Sequence, residues 1–274
     1  MPELPEVETV RRGLAQWCLN SRINAVQVLH YRATNTRSSA PLDEITGATI
    51  TAISRRGKFL WFELDRSHTL VAHLGMSGQF RIQPVGAADE KHLRVRMLLS
   101  DQQELRFIDQ RTFGWLALSP HNGVVPELVA AIAPDIFDPL FDRTAVIKKF
   151  RRKQTEIKRA LLDQNLMSGV GNIYADESLW QAKIHPQSRC DTLSTRKIEQ
   201  LLVATEKVMS KALVEGGTSF DSLYINVNGE SGYFAHSLEA YGRENEPCSR
   251  CATQICRIAF AGRSSHFCPK CQRL

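Results

Sequence analysis

Four of the seven cysteines fall as Cys248-x2-Cys251-x16-Cys268-x2-Cys271. Each CxxC turn can present two sulfurs to one tetrahedral ion, so the spacing predicts a structural Zn²⁺, one per chain, held by four thiolates. Cys18, Cys190 and Cys256 fit no pattern. The odd total and the lack of a secretory signal argue against a disulfide framework. Between the two pairs, the run from Arg257 to Phe267 reads as strand, glycine-centred turn, strand, with Arg263 at the tip of a metal-clipped hairpin. At the other end of the chain the chemistry is that of an amine. Methionine before proline is normally removed, which would leave Pro2 as a secondary α-amine beside Glu3 and Glu6. With a pKa near 8, roughly a tenth of such an amine is free base at neutral pH. It can attack an anomeric carbon or aldehyde and leave an iminium that acts as an electron sink. The plainer reading is that Pro2 and Pro5 merely start a helix, and the residues alone leave both readings open.

The cations are unevenly placed. Residues 1–140 hold 15 basic and 15 acidic side chains, so the net charge of +6 lies entirely in residues 141–274, with 20 basic and 14 acidic. Arg143 to Arg159 carries eight cations against Glu156 alone, and Cys248 to Leu274 carries five with no acid. Clustered positive charge suits a polyanion, since each neutralised phosphate releases counterions; a solvated helix face would look the same. A four-thiolate zinc site carries about −2 and offsets part of the tail's charge. Gly169-Val170-Gly171-Asn172 fails the dinucleotide fingerprint, because it lacks a third glycine and follows a helix. It still predicts a helix N-terminus, with Asn172 as cap, where a phosphate could sit.

The elements that must position these groups divide in two. Residues 3–18 place Val7, Val10, Leu14 and Trp17 at helical spacing behind Pro5. From about 23 to 118, eight short apolar runs separated by turns such as Arg55-Arg56-Gly57 and Gly75-Met76-Ser77-Gly78 predict an antiparallel sandwich or barrel. A proline-rich stretch over 120–140 leads to helices over 155–166 and 173–184, then to a long helix with Ile198, Leu201, Leu202, Thr205, Val208, Met209 and Ala212 on one face, ended by Gly216-Gly217. The expected class is α+β: an N-terminal helix and antiparallel β-sandwich in residues 1–135, a helical domain in 136–240, and a zinc-bound hairpin in 241–274. With 43% apolar and 23% charged residues and no apolar run of roughly 18, disordered, fibrous and membrane-spanning classes are excluded.

MPELPEVETVRRGL, RRGKFL, HLGMSG, IDQRTFG, GVGNIY, GYFAHSL, YGRENEPC and the four-cysteine finger ending in Cys-Gln occur in this order from residue 1 to residue 272. Together they resemble the bacterial formamidopyrimidine-DNA glycosylases. Leu4 favours that branch over the sister endonuclease VIII enzymes, where glycine is typical. The resemblance implies a bifunctional base-excision repair enzyme whose helical domain is of helix-two-turn-helix type. It would remove formamidopyrimidines and 8-oxoguanine from duplex DNA and then cut the strand by β,δ-elimination. By the same resemblance Pro2 is the Schiff-base nucleophile, Glu3 the adjacent proton donor, and Lys58 and Arg263 the groups linked to β- and δ-elimination. An arginine whose pKa exceeds 12 is better suited to stabilising a departing phosphate than to giving up a proton. His92, Arg111, Lys153 and Asn172 match DNA-contacting positions. Met76, Arg111 and Phe113 match the trio that fills the stack when a nucleotide is flipped out, and Glu6 and Thr218 match the damaged-base pocket.

Thr112 departs from the family, standing where an arginine is common, and the lesion loop over 218–233 is variable. Two alternatives stay open: the same chemistry on oxidised pyrimidines, and a noncatalytic zinc-finger DNA-binding protein, which would leave Pro2, Glu3 and Lys58 without a role. The expected partner is double-stranded DNA carrying oxidised bases or abasic sites, with no membrane partner. The expected protein is monomeric and cytoplasmic, nucleoid-associated through its DNA binding.

Overall fold

The structure, a computed structural model, describes residues 2–34, 37–120, 125–217 and 237–274. These fall into two compact units. One is built on residues up to Ala131 and includes Gly216 and Gly217; the other comprises Ile132–Glu215 and the described residues from 237 onward.

In the first unit, helix α1 (Leu4–Cys18) is followed by eight strands: β1 (Ile23–Val28), β2 (Ile50–Arg56), β3 (Phe59–Leu64), β4 (His68–His73), β5 (Gly78–Pro84), β6 (Leu93–Leu99), β7 (Gln103–Asp109) and β8 (Trp115–Pro120). They form two antiparallel four-stranded sheets, ordered β1-β6-β7-β5 and β2-β3-β4-β8. Period-two alternation drives the layering. In β6, Leu93, Val95, Met97 and Leu99 are buried while Arg94, Arg96 and Leu98 are only half-buried. The inward residues of both sheets, including Leu60, Phe62, Leu70, Phe80, Met97 and Phe107, join Val7, Val10 and Leu14 of α1 in one core, which makes a sandwich.

Helix α1 starts on Glu3, whose N–H donates to the Glu6 carboxylate at 2.8 Å, one half of a capping box. Its middle is tied to β2 through Glu8, which pairs with Arg11 at 2.8 Å and Arg55 at 3.1 Å. Burial raises the Glu8 carboxyl, but hydrogen bonds and charge from these arginines outweigh it and hold the group at about 2.

The second unit contains α2 (Arg143–Arg152), α3 (Ile157–Leu161), α4 (Asn172–Ala182), α5 (Thr195–Val214) and the hairpin β9 (Cys256–Phe260) and β10 (Arg263–Phe267). The expected helix over 155–166 shortens to the five residues of α3, because a turn forms from Leu162 in which Asp163 accepts the Asn165 N–H at 3.0 Å. Buried from Ile173 to Trp180, α4 is the central helix of this unit and packs against α3, α5 and β10. No helix among the described residues is long and apolar enough to cross a membrane.

Candidate active site and nucleic-acid interface

The β-strand register gathers several of the expected residues at one end of the sandwich. Gly57 and Lys58 form the two-residue turn between β2 and β3, with glycine supplying φ +56°. Lys58 precedes Phe59, Phe59 pairs with His73, and His73 pairs with Trp115. The chain leaves this row through two crossover loops, 74–77 from β4 to β5 and 110–114 from β7 to β8, each passing from one sheet to the other. A Cβ on Gly75, at φ +60°, would lie 2.4 Å from the Phe113 carbonyl carbon and 2.4 Å from the Gly114 nitrogen, so only glycine lets these loops touch.

Those loops carry Met76, Arg111 and Phe113. Met76 is 41% and Phe113 55% exposed, so neither is a core residue, and the Arg111 guanidinium lies 5.4 Å from the centre of the Phe113 ring. It is the Arg111 backbone N–H that reaches Asp109, at 3.1 Å. Thr112, the departure from the family pattern, adopts φ +53° between them.

Pro2, Glu3, Glu6 and Lys58 are all buried, the three ionisable groups at 3%, 3% and 6% exposure. Gly217 is backed against Glu6: a Cβ there would stand 3.1 Å from the Glu6 Cγ and Oε1. Thr218 and the loop that follows it lie outside the described residues up to 236. His92, half-buried, accepts the Asp109 N–H through its carbonyl at 3.0 Å.

His73 was not singled out from the sequence. Burial, and second the charge of Lys58, push its imidazole down to about 4. It is therefore neutral at physiological pH, and its Nδ1 accepts the Gly75 N–H at 3.2 Å.

In the second unit α2 buries Val146, Ile147 and Phe150 and leaves its cations outward. Lys149, Arg152 and Lys153 line an open depression of about 350 Å³ bounded by Asp163, Asn165 and Leu166. Lys153 Nζ pairs with Asp163 at 2.8 Å. Burial works to raise the Asp163 carboxyl, but Lys153 and the Asn165 N–H keep it below its ordinary value. Asn172 does not cap α4, as the spacing had suggested; Gly171 holds the cap position and Asn172 is the first helical residue. Its side chain instead reaches the finger, donating from Nδ2 to the Ser264 carbonyl at 3.1 Å, while its buried Oδ1 has no hydrogen-bond partner among the described residues.

Arg263 is exposed and opens β10, next to the two-residue turn Ala261-Gly262 whose residues take φ +47° and +74°. The strand behind it is gripped by α3 and α4. Lys158 and Asp176, both wholly buried, pair at 2.7 Å; Lys158 also donates to the Ser264 carbonyl at 2.9 Å, and Asp176 accepts from the Ser265 hydroxyl and the His266 N–H, each at 2.9 Å. Glu177 accepts three backbone N–H groups, from Glu239, Ala240 and Tyr241. Burial raises its carboxyl despite these bonds. Asp176 and Glu177 carried one sequence signal, a pair of acids inside an otherwise apolar helix.

The sulfurs of Cys248, Cys251, Cys268 and Cys271 lie within 4.8 Å of one another, with Cys251 Sγ 3.5 Å from both Cys268 Sγ and Cys271 Sγ. Zn–S bonds of about 2.3 Å imply tetrahedral edges of about 3.8 Å, so this set fits one structural Zn²⁺. Gln272 locks the finger to the helices by accepting the Cys268 N–H and donating to the Ile184 carbonyl, both at 2.9 Å. Cys18 and Cys190 are buried thiols pushed up to about 12 and about 11 mainly by burial, which makes them inert.

A four-thiolate finger locked onto a helical unit with outward cations, joined in one chain to a β-sandwich in which Pro2, Glu3 and Glu6 are buried, defines a zinc-finger protein with a cationic surface as a class. Sequence models narrow it. The formamidopyrimidine-DNA glycosylase N-terminal domain matches residues 1–116, the H2TH domain of the same enzymes matches 132–222, and the zinc finger found in FPG and IleRS matches 245–274. A formamidopyrimidine-DNA glycosylase of Rhodococcus jostii is 53% identical over 99% of this chain and 96% of the relative. Among solved structures, a Lactococcus lactis FPG mutant complexed with Fapy-dG-containing DNA superposes with TM-score 0.91 at 37% identity over all of both chains. The complex of the Lactococcus lactis enzyme with abasic-site DNA gives 0.89 at 37% identity over 99% of this chain and all of that one. The chain belongs to the formamidopyrimidine-DNA glycosylase family.

Proposed function

We propose that this protein is a base-excision repair glycosylase that removes oxidised purines from duplex DNA with the Pro2 amine as nucleophile, and that it then acts as an abasic-site lyase. The secondary amine attacks C1′ of the damaged nucleotide, the base leaves with a proton, and ring opening gives a cationic iminium. The iminium acidifies the C2′ proton, whose loss expels the 3′ phosphate; a second elimination expels the 5′ phosphate. Glu3 serves the proton transfers, and Lys58 assists β-elimination and holds phosphate. Arg263 stabilises the second departing phosphate as a fixed cation. Met76, Arg111 and Phe113 fill the vacated stack, Arg111 facing the estranged base; Glu6 and Thr218 border the damaged base. His92, Lys153 and Asn172 hold backbone phosphates. Cys248, Cys251, Cys268 and Cys271 would hold the Zn²⁺, which would supply folding energy to the hairpin that presents Arg263.

The observation that carries this reading is the match of the glycosylase N-terminal domain to residues 1–116, the stretch that holds Pro2, Glu3, Glu6 and Lys58. A noncatalytic DNA-binding module would leave Pro2, Glu3 and Lys58 without a role. Abasic-site DNA in a relative's complex supports the lyase step. The test is a single-turnover assay on duplexes with 8-oxoguanine or with oxidised thymine. The expected result is faster excision of the purine, followed by cleavage with phosphate at both new ends. Preferential excision of the pyrimidine would overturn the substrate assignment, and base release without strand scission would overturn the lyase. Arg263→Ala should lose DNA affinity and the second elimination together.

A further inference from the structure

We propose that Asp109 and Ser77 are positioning residues that set the enzyme's discrimination of the base opposite the lesion, by fixing the backbone that carries Arg111 and Phe113. The inference rests on the proposed role of those two side chains in the DNA stack.

Asp109 ends β7 with 0% exposure, and among the described residues no cation pairs with its carboxylate. Its charge is met by donors from both crossover loops. The Ser77 hydroxyl donates to Oδ1 at 2.5 Å, the Arg111 N–H donates to Oδ1 at 3.1 Å, and the Gly114 N–H donates to Oδ2 at 2.7 Å. The Arg111 N–H is shared with Ser77 Oγ at 3.1 Å. One buried carboxylate thus binds both ends of the Arg111–Gly114 turn and ties it to the neighbouring Met76-Ser77 loop. An unpaired buried carboxylate is costly, and these three bonds offset that cost only while the loops hold this one arrangement. The two exposed side chains therefore stand on a backbone that is fixed before DNA arrives, a preorganisation the exposed turn would otherwise lack. Thr112 at φ +53° is consistent with this, since a β-branched residue is held in the left-handed region only by its surroundings.

Isosteric Asp109→Asn keeps the shape but turns one acceptor into an N–H that faces either Gly114 N–H or the Ser77 and Arg111 donors. Ser77→Ala removes one brace and leaves the other two. The readout is the ratio of kcat/KM for 8-oxoguanine opposite dC to that opposite dA, with fluorescence of 2-aminopurine placed opposite an abasic analogue reporting insertion. The expected result is that both variants shrink the ratio by about tenfold, the scale of one lost base contact. Neither should reduce it further in an Arg111→Ala background, because they act through Arg111. If Asp109→Asn does not fold, Ser77→Ala alone carries the test. Slower excision with an unchanged ratio, or additive loss with Arg111→Ala, would overturn the positioning role. A ratio unchanged in Arg111→Ala itself would instead overturn the reading of Arg111 on which the inference rests.

Discussion

Burial between Phe59 and Trp115, and second the charge of Lys58, keep His73 neutral, and neutrality is what lets its Nδ1 accept the Gly75 N–H. Protonation would put two donors face to face. With a folded value of about 4 against an ordinary 6.5, the unfolded chain takes up the proton first. The associated stability is therefore complete above pH 6.5 and is lost as pH falls towards 4, by up to about 3 kcal/mol. Urea unfolding of the wild type should lose stability across that window, and His73→Gln should flatten the slope. The chemistry-bearing residues divide sharply in how legible they were. Cysteine spacing announces its ligand, and the family motifs singled out Pro2 and Lys58 as candidates. Asp109 and His73 were not readable, because their importance lies in the burial that isolates them, and Asp176 and Glu177 showed only as paired acids in a helix, the donors they accept from in the finger region lying 62 to 90 positions away.

Strands showed best in the sequence where alternation is strict, as in β6, and α5 followed from its apolar face. The α3 segment was overextended, because its helical composition runs on past the point where the Asp163 turn takes over. The finger hairpin was expected, but not the I′-type turn that forces Ala261 to φ +47°. A left-handed alanine costs about 1–2 kcal/mol, part of which glycine gives back as unfolded-state entropy. Ala261→Gly should therefore raise stability by about 0.5–1 kcal/mol, read as a higher melting temperature of the zinc-loaded protein. The Lys158–Asp176 pair has the opposite sensitivity. Lys158→Met takes the lysine from a carboxylate at 0% exposure, leaving Asp176 only its bonds from Ser265 and His266, and should cost about 3–5 kcal/mol. Lys158→Met with Asp176→Leu should recover part of that loss, which a thermal double-mutant cycle would detect.

At the scale of the molecule the net charge of +6 summarises two unlike units: a neutral β-sandwich with buried ionisable groups, and a cationic helical unit with a thiolate finger. The expectation of a sandwich followed by helices and a finger was sound because each has a different sequence period. DNA affinity should fall steeply with salt, and charge-removing changes at Lys149 or Arg152 should reduce the slope of log K against log salt by about one each. Chelating the zinc should abolish DNA binding while the sandwich keeps its own melting transition, because the metal's contribution is confined to the finger. Among the described residues the sandwich core and the finger's cluster of Trp180, Ala240, Cys248, Ile255 and Cys268 share no member, which makes that separation observable by calorimetry.

The proposed nucleophile toward the sugar is the secondary amine of Pro2. Borohydride reduction in the presence of abasic-site DNA, followed by proteolysis and mass spectrometry, tests it most directly. The expected result is a covalent adduct on the N-terminal peptide at Pro2, absent when Met1 is retained. An adduct mapped to Lys58 or another lysine, or none with a free Pro2, would contradict it.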